Sequence, residues 1–317
     1  MRLLVFGDFH GVLQKIPETN FDAVISAGDF FGLSPRAYRE SLKLRMLYFA
    51  AENTQNPLLK KRLLKVYAQR GKLFERMVKK EEPHNFKRAR RILEYLNSLG
   101  KPVFVIPGNW ECFPPFFGSS REYHHRMQRY QELKQGLKNI VEMHLQQQDF
   151  SGFSIVGLGL CQMPENIFYH HSELAKRMYK DKKHLRLYNH WMRKMRPLFV
   201  GAQRRKKPIL FISHNQPYNT SLDIINNKDS PAHGEHYGSC VTRKLIEDFQ
   251  PFLCLGAHIH ETKGTCRVGK TLCVNPGFGG AGEYAVIDIQ GKKVQVQFRS
   301  NKNKKKDSKR KSPLSKK

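Results

Sequence analysis

The sequence lacks the features that are typical of membrane proteins, secreted proteins and zinc ribbons. Its 317 residues contain no apolar run near the roughly 18 residues that a membrane span needs. No CxxC pair occurs among the six cysteines, which argues against a zinc ribbon or a disulfide framework. The first apolar run, residues 3–6, is too short for a signal peptide. These absences predict a protein of a reducing compartment, the cytoplasm, or the nucleus in a eukaryotic cell.

Acidic residues are also scarce. The chain has 27 Asp and Glu and 56 Lys and Arg, which gives a net charge of +29. Residues 34–100 hold 17 basic and 6 acidic residues, residues 172–207 hold 13 and 2, and residues 299–317 hold 10 and 1. The rest of the chain has a net charge of −2. This distribution predicts a near-neutral body with basic additions that attract a polyanion such as nucleic acid. The alternative is a basic face that only contacts solvent.

Short apolar runs alternate with longer segments of helical spacing, which predicts an α/β fold. We expect helices within 34–82, with a break at Asn56-Pro57, then at 86–99, and at 172–196 with an end at Pro197. Strands are expected at 2–7, 23–26, 103–106, 150–160, 209–212, 252–255, 272–274, 284–289 and 294–298. Residues 299–317 have almost no apolar content and are predicted to be disordered.

Polar residues that bind metals follow five of the predicted strands. Asp8 and His10 follow the first, Asp29 the second, Asn109 the third, His214 a later one, and His258 and His260 the strand after that. Side chains at strand ends converge at one edge of a sheet, where α/β enzymes build their sites. A mixed set of carboxylate, amide and imidazole donors suits manganese, iron or zinc better than calcium or magnesium.

This ordered set resembles the calcineurin-like metallophosphoesterase superfamily, and in particular its small archaeal and bacterial phosphoesterases. The motifs are Asp8-x-His10, Gly28-Asp29, Gly108-Asn109-Trp110-Glu111, His214 and Ala257-His258-x-His260, and the match spans residues 2–290. The resemblance implies a four-layer αββα sandwich as one domain, 1–298. Residues 34–82 would then be a basic helical insert near the metal site, and 172–196 a second basic helix.

The resemblance also implies roles for the matched residues. Asp8, His10 and His260 would bind one divalent ion, Asn109, His214 and His258 a second, and Asp29 both. Two cations lower the pKa of a water between them, and the resulting hydroxide attacks phosphorus while both cations hold the phosphoryl oxygens. Manganese is the expected ion, with iron or zinc as alternatives. Among the catalytic residues we count Asn109, His214 and His236.

Position 110 departs from the pattern of many relatives, which have a histidine there to protonate the leaving oxygen. The indole N–H of Trp110 is only a neutral donor, and loss of a general acid typically costs about 100- to 10,000-fold in rate. We therefore predict a phosphodiesterase rather than a monoesterase, with His236, or else His233 or Tyr237, as a replacement acid. Trp110 itself is either a packing residue that covers the site or a platform for stacking substrate. Glu111 is expected to support the ligands.

Three functions stay open at this point. The favoured one is a metal-dependent phosphodiesterase that acts on nucleic acid or nucleotides drawn in by the basic insert and tail. The others are a nucleic-acid-binding module and a protein scaffold, each on the same fold with a weak or vestigial site. The complete ligand set favours the enzyme, and the oligomeric state is left open.

Overall fold

The computed structural model describes residues 1–112, 120–159, 182–228, 230 and 232–301, and it contains two six-stranded sheets. The first sheet has the order β12-β11-β1-β2-β3-β4 and the second β5-β6-β7-β8-β10-β9. The strands are β1 (Arg2–Phe6), β2 (Ala23–Ser26), β3 (Val103–Val105), β4 (Ile140–Glu142), β5 (Gln146–Phe150), β6 (Phe153–Leu158), β7 (Ile209–Ser213), β8 (Leu253–Leu255), β9 (Gly264–Val268), β10 (Thr271–Asn275), β11 (Glu283–Gln290) and β12 (Lys293–Ser300).

The main core lies between the two sheets, where Ile25 and Phe104 of the first pack with Ile155 and Leu210 of the second. Because successive strand residues point to opposite faces, the neighbours of these side chains contact helices on the outside. Two further cores form there, one against each sheet. The layers are therefore helix, sheet, sheet, helix, which confirms the predicted fold class.

The helices are α1 (Pro35–Asn53), α2 (Pro57–Ser98), α3 (Asn109–Cys112), α4 (Ser120–Lys134), α5 (Lys182–Arg204) and α6 (Cys240–Phe249). The side chain of Asn56 accepts hydrogen bonds from the N–H groups of Leu58 and Leu59 and so caps α2. The predicted break at Asn56-Pro57 is confirmed. In the described part of the chain, no helix has the length and apolarity needed to cross a membrane.

Helix α2 is longer than predicted, since it continues through Pro83 instead of stopping near 82 and restarting at 86. Its second half buries Ile92 and Leu96 against the first sheet, and its first half buries Tyr67 and Phe74 against α1. A proline inside a helix costs about 3 kcal/mol. Burial on both sides of Pro83 offsets that cost, so the helix is not interrupted.

The prediction that a helix ends at Pro197 is wrong, because α5 runs on to Arg204. Met195 and Phe199 are buried against the second sheet on either side of the proline, so packing keeps the segment helical. Trp191 faces inward as expected. The first ten residues of the predicted helix, 172–181, lie outside the described residues.

Three strands and several boundaries differ from the prediction, among them the predicted strand 150–160, which is β6 (Phe153–Leu158) with Phe150 at the end of β5. β4, β5 and β9 were not predicted, and β12 includes Arg299 and Ser300, the first two residues of the expected tail. The rest of that tail, 302–317, lies outside the described residues.

The sheet topology determines where the polar loops meet. β1, β2 and β3 lie side by side and parallel in the first sheet, and β7 and β8 do so in the second. The loops that follow these five strands carry all seven predicted metal-binding residues.

Candidate metal centre

Asp8, His10 and His260 form a first group of donors. Nε2 of His260 contacts Oδ2 of Asp8 and lies 3.2 Å from Nε2 of His10. One donor atom from each residue lies within 4.8 Å of the others. Loops that are 250 residues apart in sequence thus bring three donor side chains to one point.

Asp29, Asn109, His214 and His258 form a second group. Oδ1 of Asn109 lies 2.8 Å from Nε2 of His214 and 2.9 Å from Nδ1 of His258. Oδ2 of Asp29 lies 3.7 Å from Nε2 of His214 and 3.9 Å from Nε2 of His10, which belongs to the first group. The structure therefore brings all seven predicted donors together and places Asp29 between the groups.

The backbone at these donors is in an uncommon conformation. His10, Asp29 and His258 have φ angles of 46°, 54° and 69°, in the left-handed region that few non-glycine residues adopt. The glycines beside them are required by close contacts: a Cβ on Gly28 would lie 2.4 Å from the nitrogen of Gly108, and one on Gly108 would lie 2.1 Å from Oδ1 of Asp29. Strain of this kind is concentrated at functional sites.

Glu111 joins the loops that carry Asp29 and Asn109. Its buried carboxylate accepts hydrogen bonds from the N–H groups of Gly108 at 2.7 Å, Asp29 at 2.8 Å and Phe31 at 2.9 Å. Oδ1 of Asp29 accepts a further bond from the N–H of Trp110 at 2.8 Å, which leaves Oδ2 facing the two groups. This is the supporting contact expected of Glu111.

Two histidines are oriented by backbone carbonyls. Nδ1 of His214 lies 2.7 Å from the oxygen of Ala27, and Nδ1 of His10 lies 3.2 Å from the oxygen of Phe31. When Nδ1–H donates to the carbonyl, Nε2 keeps its lone pair for a cation, as is usual for metal-binding histidines. His258 instead presents Nδ1 to the second group.

Burial keeps these imidazoles neutral. Burial and the charge of His260 lower the pKa of His10 to about 4, and burial and the charge of His214 lower the pKa of His258 to about 3. Burial also lowers the pKa of His214. At neutral pH each of the three therefore offers a lone pair.

The two aspartates bring negative charge into the same buried space. Burial by itself would raise the pKa of Asp8. The charge of His260 and its hydrogen bond to Asp8 act in the opposite direction and outweigh burial, so the pKa of Asp8 lies well below its ordinary value. Burial and the neighbouring Asp8 and Glu111 raise the pKa of Asp29. Neutral imidazoles with crowded buried carboxylates form a donor set that fits divalent cations.

Aromatic rings pack over the first group. Phe278 stacks on His260 with ring centroids 4.6 Å apart and lies 5.7 Å from His10, and Trp110 meets His10 edge-on at 6.0 Å. The sequence analysis did not identify Phe278. The available signal was the glycine-rich turn 277–282, directly after β10, in which Phe278 is the large side chain.

His236 lies on the loop between β7 and α6, away from direct contact with the donors. Its Nδ1 is 2.7 Å from Oδ1 of Asp223, a buried carboxylate that also accepts hydrogen bonds from the N–H groups of Thr220 and Gly238. Across the described ranges, no hydrogen bond or ring contact joins His236 to any of the seven donors. The pairing with Asp223 was not foreseen from sequence.

Comparisons with known proteins show what the chain is similar to. A family model described as calcineurin-like phosphoesterase matches residues 1–262. The chain is 39% identical over 80 residues to a Methanocaldococcus jannaschii protein described as "Uncharacterized protein MJ1162"; the match covers 24% of this chain and only about a third of that relative, 34%.

One crystal structure is similar with a TM-score of 0.55 at 18% identity, covering 93% of this chain and 98% of the other, which is a likeness of fold. The crystal structure of TT1561 of Thermus thermophilus gives a TM-score of 0.46 at 13% identity, with coverages of 93% and 97%. With the family model covering most of its length, the chain belongs to the calcineurin-like phosphoesterase family.

Proposed function

We propose that this chain is a dinuclear metal-dependent phosphoesterase that hydrolyses phosphodiesters. The position of Asp29 carries the proposal, because its Oδ2 is 3.9 Å from Nε2 of His10 in the first group and 3.7 Å from Nε2 of His214 in the second. With Oδ1 held by the N–H of Trp110, the single oxygen Oδ2 would be shared by the two cations and would offset their repulsion.

Each group would hold one ion and Asp29 would contact both; the ligands are Asp8, His10 and His260 for one ion, and Asn109, His214 and His258 for the other. When bound, such a pair of cations supplies an activated water and positive charge for the phosphoryl oxygens. Asn109 and His214 would take part in catalysis by holding one of the ions. Manganese is the proposed ion, and iron and zinc are the alternatives for this donor set.

Metal content and turnover test the proposal. Purified protein loaded with Mn²⁺ is expected to hold about two ions per chain and to hydrolyse bis-p-nitrophenyl phosphate. Asp29→Asn should lose an ion and most of the turnover, whereas Asp22→Asn, at the opposite end of β2, should behave as the native chain does. Tight RNA or DNA binding without turnover would favour the binding module, and no metal uptake at saturation would refute the enzyme.

His236 is the proposed proton donor to the leaving oxygen. Asp223 holds its Nδ1 at 2.7 Å, which leaves Nε2 to exchange a proton. Burial raises the pKa of Tyr237 to about 12, which makes that residue a weaker acid. His236→Gln should slow hydrolysis of a diester with an alkoxide leaving group by about 100-fold or more, while bis-p-nitrophenyl phosphate, whose leaving group needs no proton, should be nearly unaffected. Equal slowing of both substrates would contradict this role.

Nucleic acid or a nucleotide is the proposed substrate. A surface cavity of about 560 Å³ between α5 and α6 is lined by four cations, two apolar or aromatic side chains and one amide: Arg186, Arg193, Arg196, Lys244, Tyr188, Met192 and Asn189. Of its cations, Arg196 and Lys244 share the carboxylate of Asp248, so the lining keeps a positive surplus. Guanidinium groups beside an aromatic ring suit the phosphates and bases of a single strand.

The salt dependence of binding tests this surface. The double variant R186E/R193E should weaken single-stranded RNA binding and lower the slope of log K against log salt by about 1.4, since each phosphate contact contributes about 0.7. The exposed turn between β11 and β12 provides a control, Lys292→Glu. If the double variant and the control give the same slope, the cavity is not part of a nucleic-acid surface.

A further inference from the structure

The metal centre is open to solvent at two of its histidines. The side chains of His10 and His260 are 21% and 31% exposed. Those of Asp8, Asp29 and His214 are exposed by 1% or less and lie deeper in the structure. The imidazoles of His10 and His260 therefore border an opening through which a ligand can reach the centre.

Two partly exposed aromatic side chains border the same opening. Trp110 meets the imidazole of His10 edge-on at 6.0 Å, and Phe278 lies tilted to that imidazole at 5.7 Å. Phe278 also stacks on His260, with ring centroids 4.6 Å apart and 10° between the ring planes. Within the described ranges, no ring contact joins Trp110 to Phe278, so the two rings border His10 from separate directions.

The position of Phe278 is fixed by the turn that carries it. Its N–H donates to Oε2 of Glu283 at 3.0 Å. Its ring lies against Gly280, where a Cβ would be only 2.7 Å from the Cζ atom of Phe278. Nε2 of Gln14 donates to the oxygen of Gly280 at 3.0 Å and so ties the turn to the loop that carries His10. These contacts hold a large apolar ring at the opening instead of in a core.

Trp110 is positioned through its backbone. Its N–H donates to Oδ1 of Asp29 at 2.8 Å, and its carbonyl oxygen accepts from Arg126 at 3.3 Å. Neither bond involves the indole. The side chain of Trp110 can therefore be replaced without removal of the hydrogen bond that orients Asp29.

We propose that Trp110 and Phe278 bind a nucleobase of the substrate at the open side of the metal centre. This inference rests on the proposed function and names the group that the site selects. The two rings are uncharged, so they add little to the binding of a phosphate and act on the group attached to it. A base has a planar π-face that stacks on aromatic side chains, and stacking covers apolar area that is otherwise in water.

Calorimetry with Mn²⁺-loaded protein tests the inference without turnover. Adenosine 5′-monophosphate and ribose 5-phosphate share the sugar and the phosphate, and neither contains a diester bond. The base should tighten binding by about 5- to 150-fold, the range for stacking of one base on aromatic side chains. Trp110→Ala and Phe278→Leu should each lose most of this difference, while the affinity for ribose 5-phosphate and the Mn²⁺ content stay unchanged. Trp110→Phe should recover part of it, because it keeps a ring.

Tryptophan fluorescence provides a second measurement. The chain has two tryptophans, and Trp191 is buried against the second sheet. Adenosine 5′-monophosphate should quench the fluorescence by stacking on Trp110, and ribose 5-phosphate should not. Trp191→Phe is the matched control and should keep both the quenching and the preference for the base, whereas Trp110→Phe should lose the quenching.

The inference is overturned if neither ligand binds, if the two bind equally, or if the preference for the base persists in both Trp110→Ala and Phe278→Leu. Hydrolysis of diesters together with any of these results would leave the proposed function standing. A preference for the base that needs both rings, in a protein that takes up Mn²⁺ and cleaves no diester, would refute the proposed function and leave the base contact standing.

Discussion

Replacement of Glu111 by glutamine should lower both the free energy of unfolding and the affinity for Mn²⁺, because Glu111 joins the loops that carry Asp29 and Asn109. One carboxylate oxygen accepts from Asp29 and Gly108, and the other accepts from Phe31. A glutamine that keeps its oxygen toward the first pair turns an N–H₂ group toward the N–H of Phe31. One buried donor is then unsatisfied, at a cost of about 1–3 kcal/mol. Loss of a contact that orients ligands typically weakens metal affinity by about 10- to 100-fold.

Urea unfolding of metal-free protein and calorimetric titration with Mn²⁺ measure these two effects of Glu111→Gln separately. The control is Glu94→Gln on α2, where the carboxylate is half exposed and pairs with Arg90 one turn away. That change should alter the free energy of unfolding by about 0.5 kcal/mol or less and leave the Mn²⁺ affinity unchanged. If Glu111→Gln matches Glu94→Gln in both measurements, the three hydrogen bonds do not organise the centre.

Three further predictions concern the centre and the tail. Gly108→Ala should abolish Mn²⁺ binding, because its Cβ would lie 2.1 Å from Oδ1 of Asp29, whereas Gly264→Ala, whose Cβ would meet Leu222 at an ordinary 3.6 Å, should keep full binding in the same titration. Mn²⁺ binding should tighten as pH rises. Burial lowers the pKa of His260, but Asp8 raises it above its ordinary value, so the imidazolium of His260 must lose a proton when it binds the ion. Titrations in buffers of different ionisation enthalpy measure the protons released. An affinity that does not change with pH would contradict this. Deletion of 302–317, which contains nine Lys and Arg, should flatten the salt dependence of RNA binding; an unchanged slope would exclude the tail.

The metal centre could be predicted from sequence because its donors depend on local features. Each donor follows a strand that short apolar residues identify, and adjacent parallel strands bring their carboxyl ends together. The structure explains the glycines beside Asp29 and Asn109, because a Cβ on Gly28 or Gly108 would meet backbone or carboxylate atoms within 2.4 Å. The division of the donors between two ions was an expectation from the resemblance to calcineurin-like phosphoesterases and not from the local sequence.

Other parts of the fold depend on packing that the local sequence does not show. β5 reads Gln146-Gln147-Gln148-Asp149-Phe150, which has one apolar residue, and it forms only because it pairs with the buried strand β6 at the sheet edge. Pro83 and Pro197 indicate helix ends locally, yet burial on both sides keeps α2 and α5 continuous. Phe278 was missed because its contacts are with histidines that are distant in sequence.

The orientation of α1 likewise depends on its packing against α2. Leu42 and Met46 stand at helical spacing and suggest an inner face, but they are 37% and 61% exposed, while Leu44 is 1% exposed. Leu44 packs with Tyr67 and Phe74 of α2, so the contact with α2 decides which face of α1 is buried. Had Leu42 and Met46 packed inward, α1 would be turned by about half a revolution. The face that α1 presents to solvent therefore depends on the residues of α2 and not on the spacing within α1 alone.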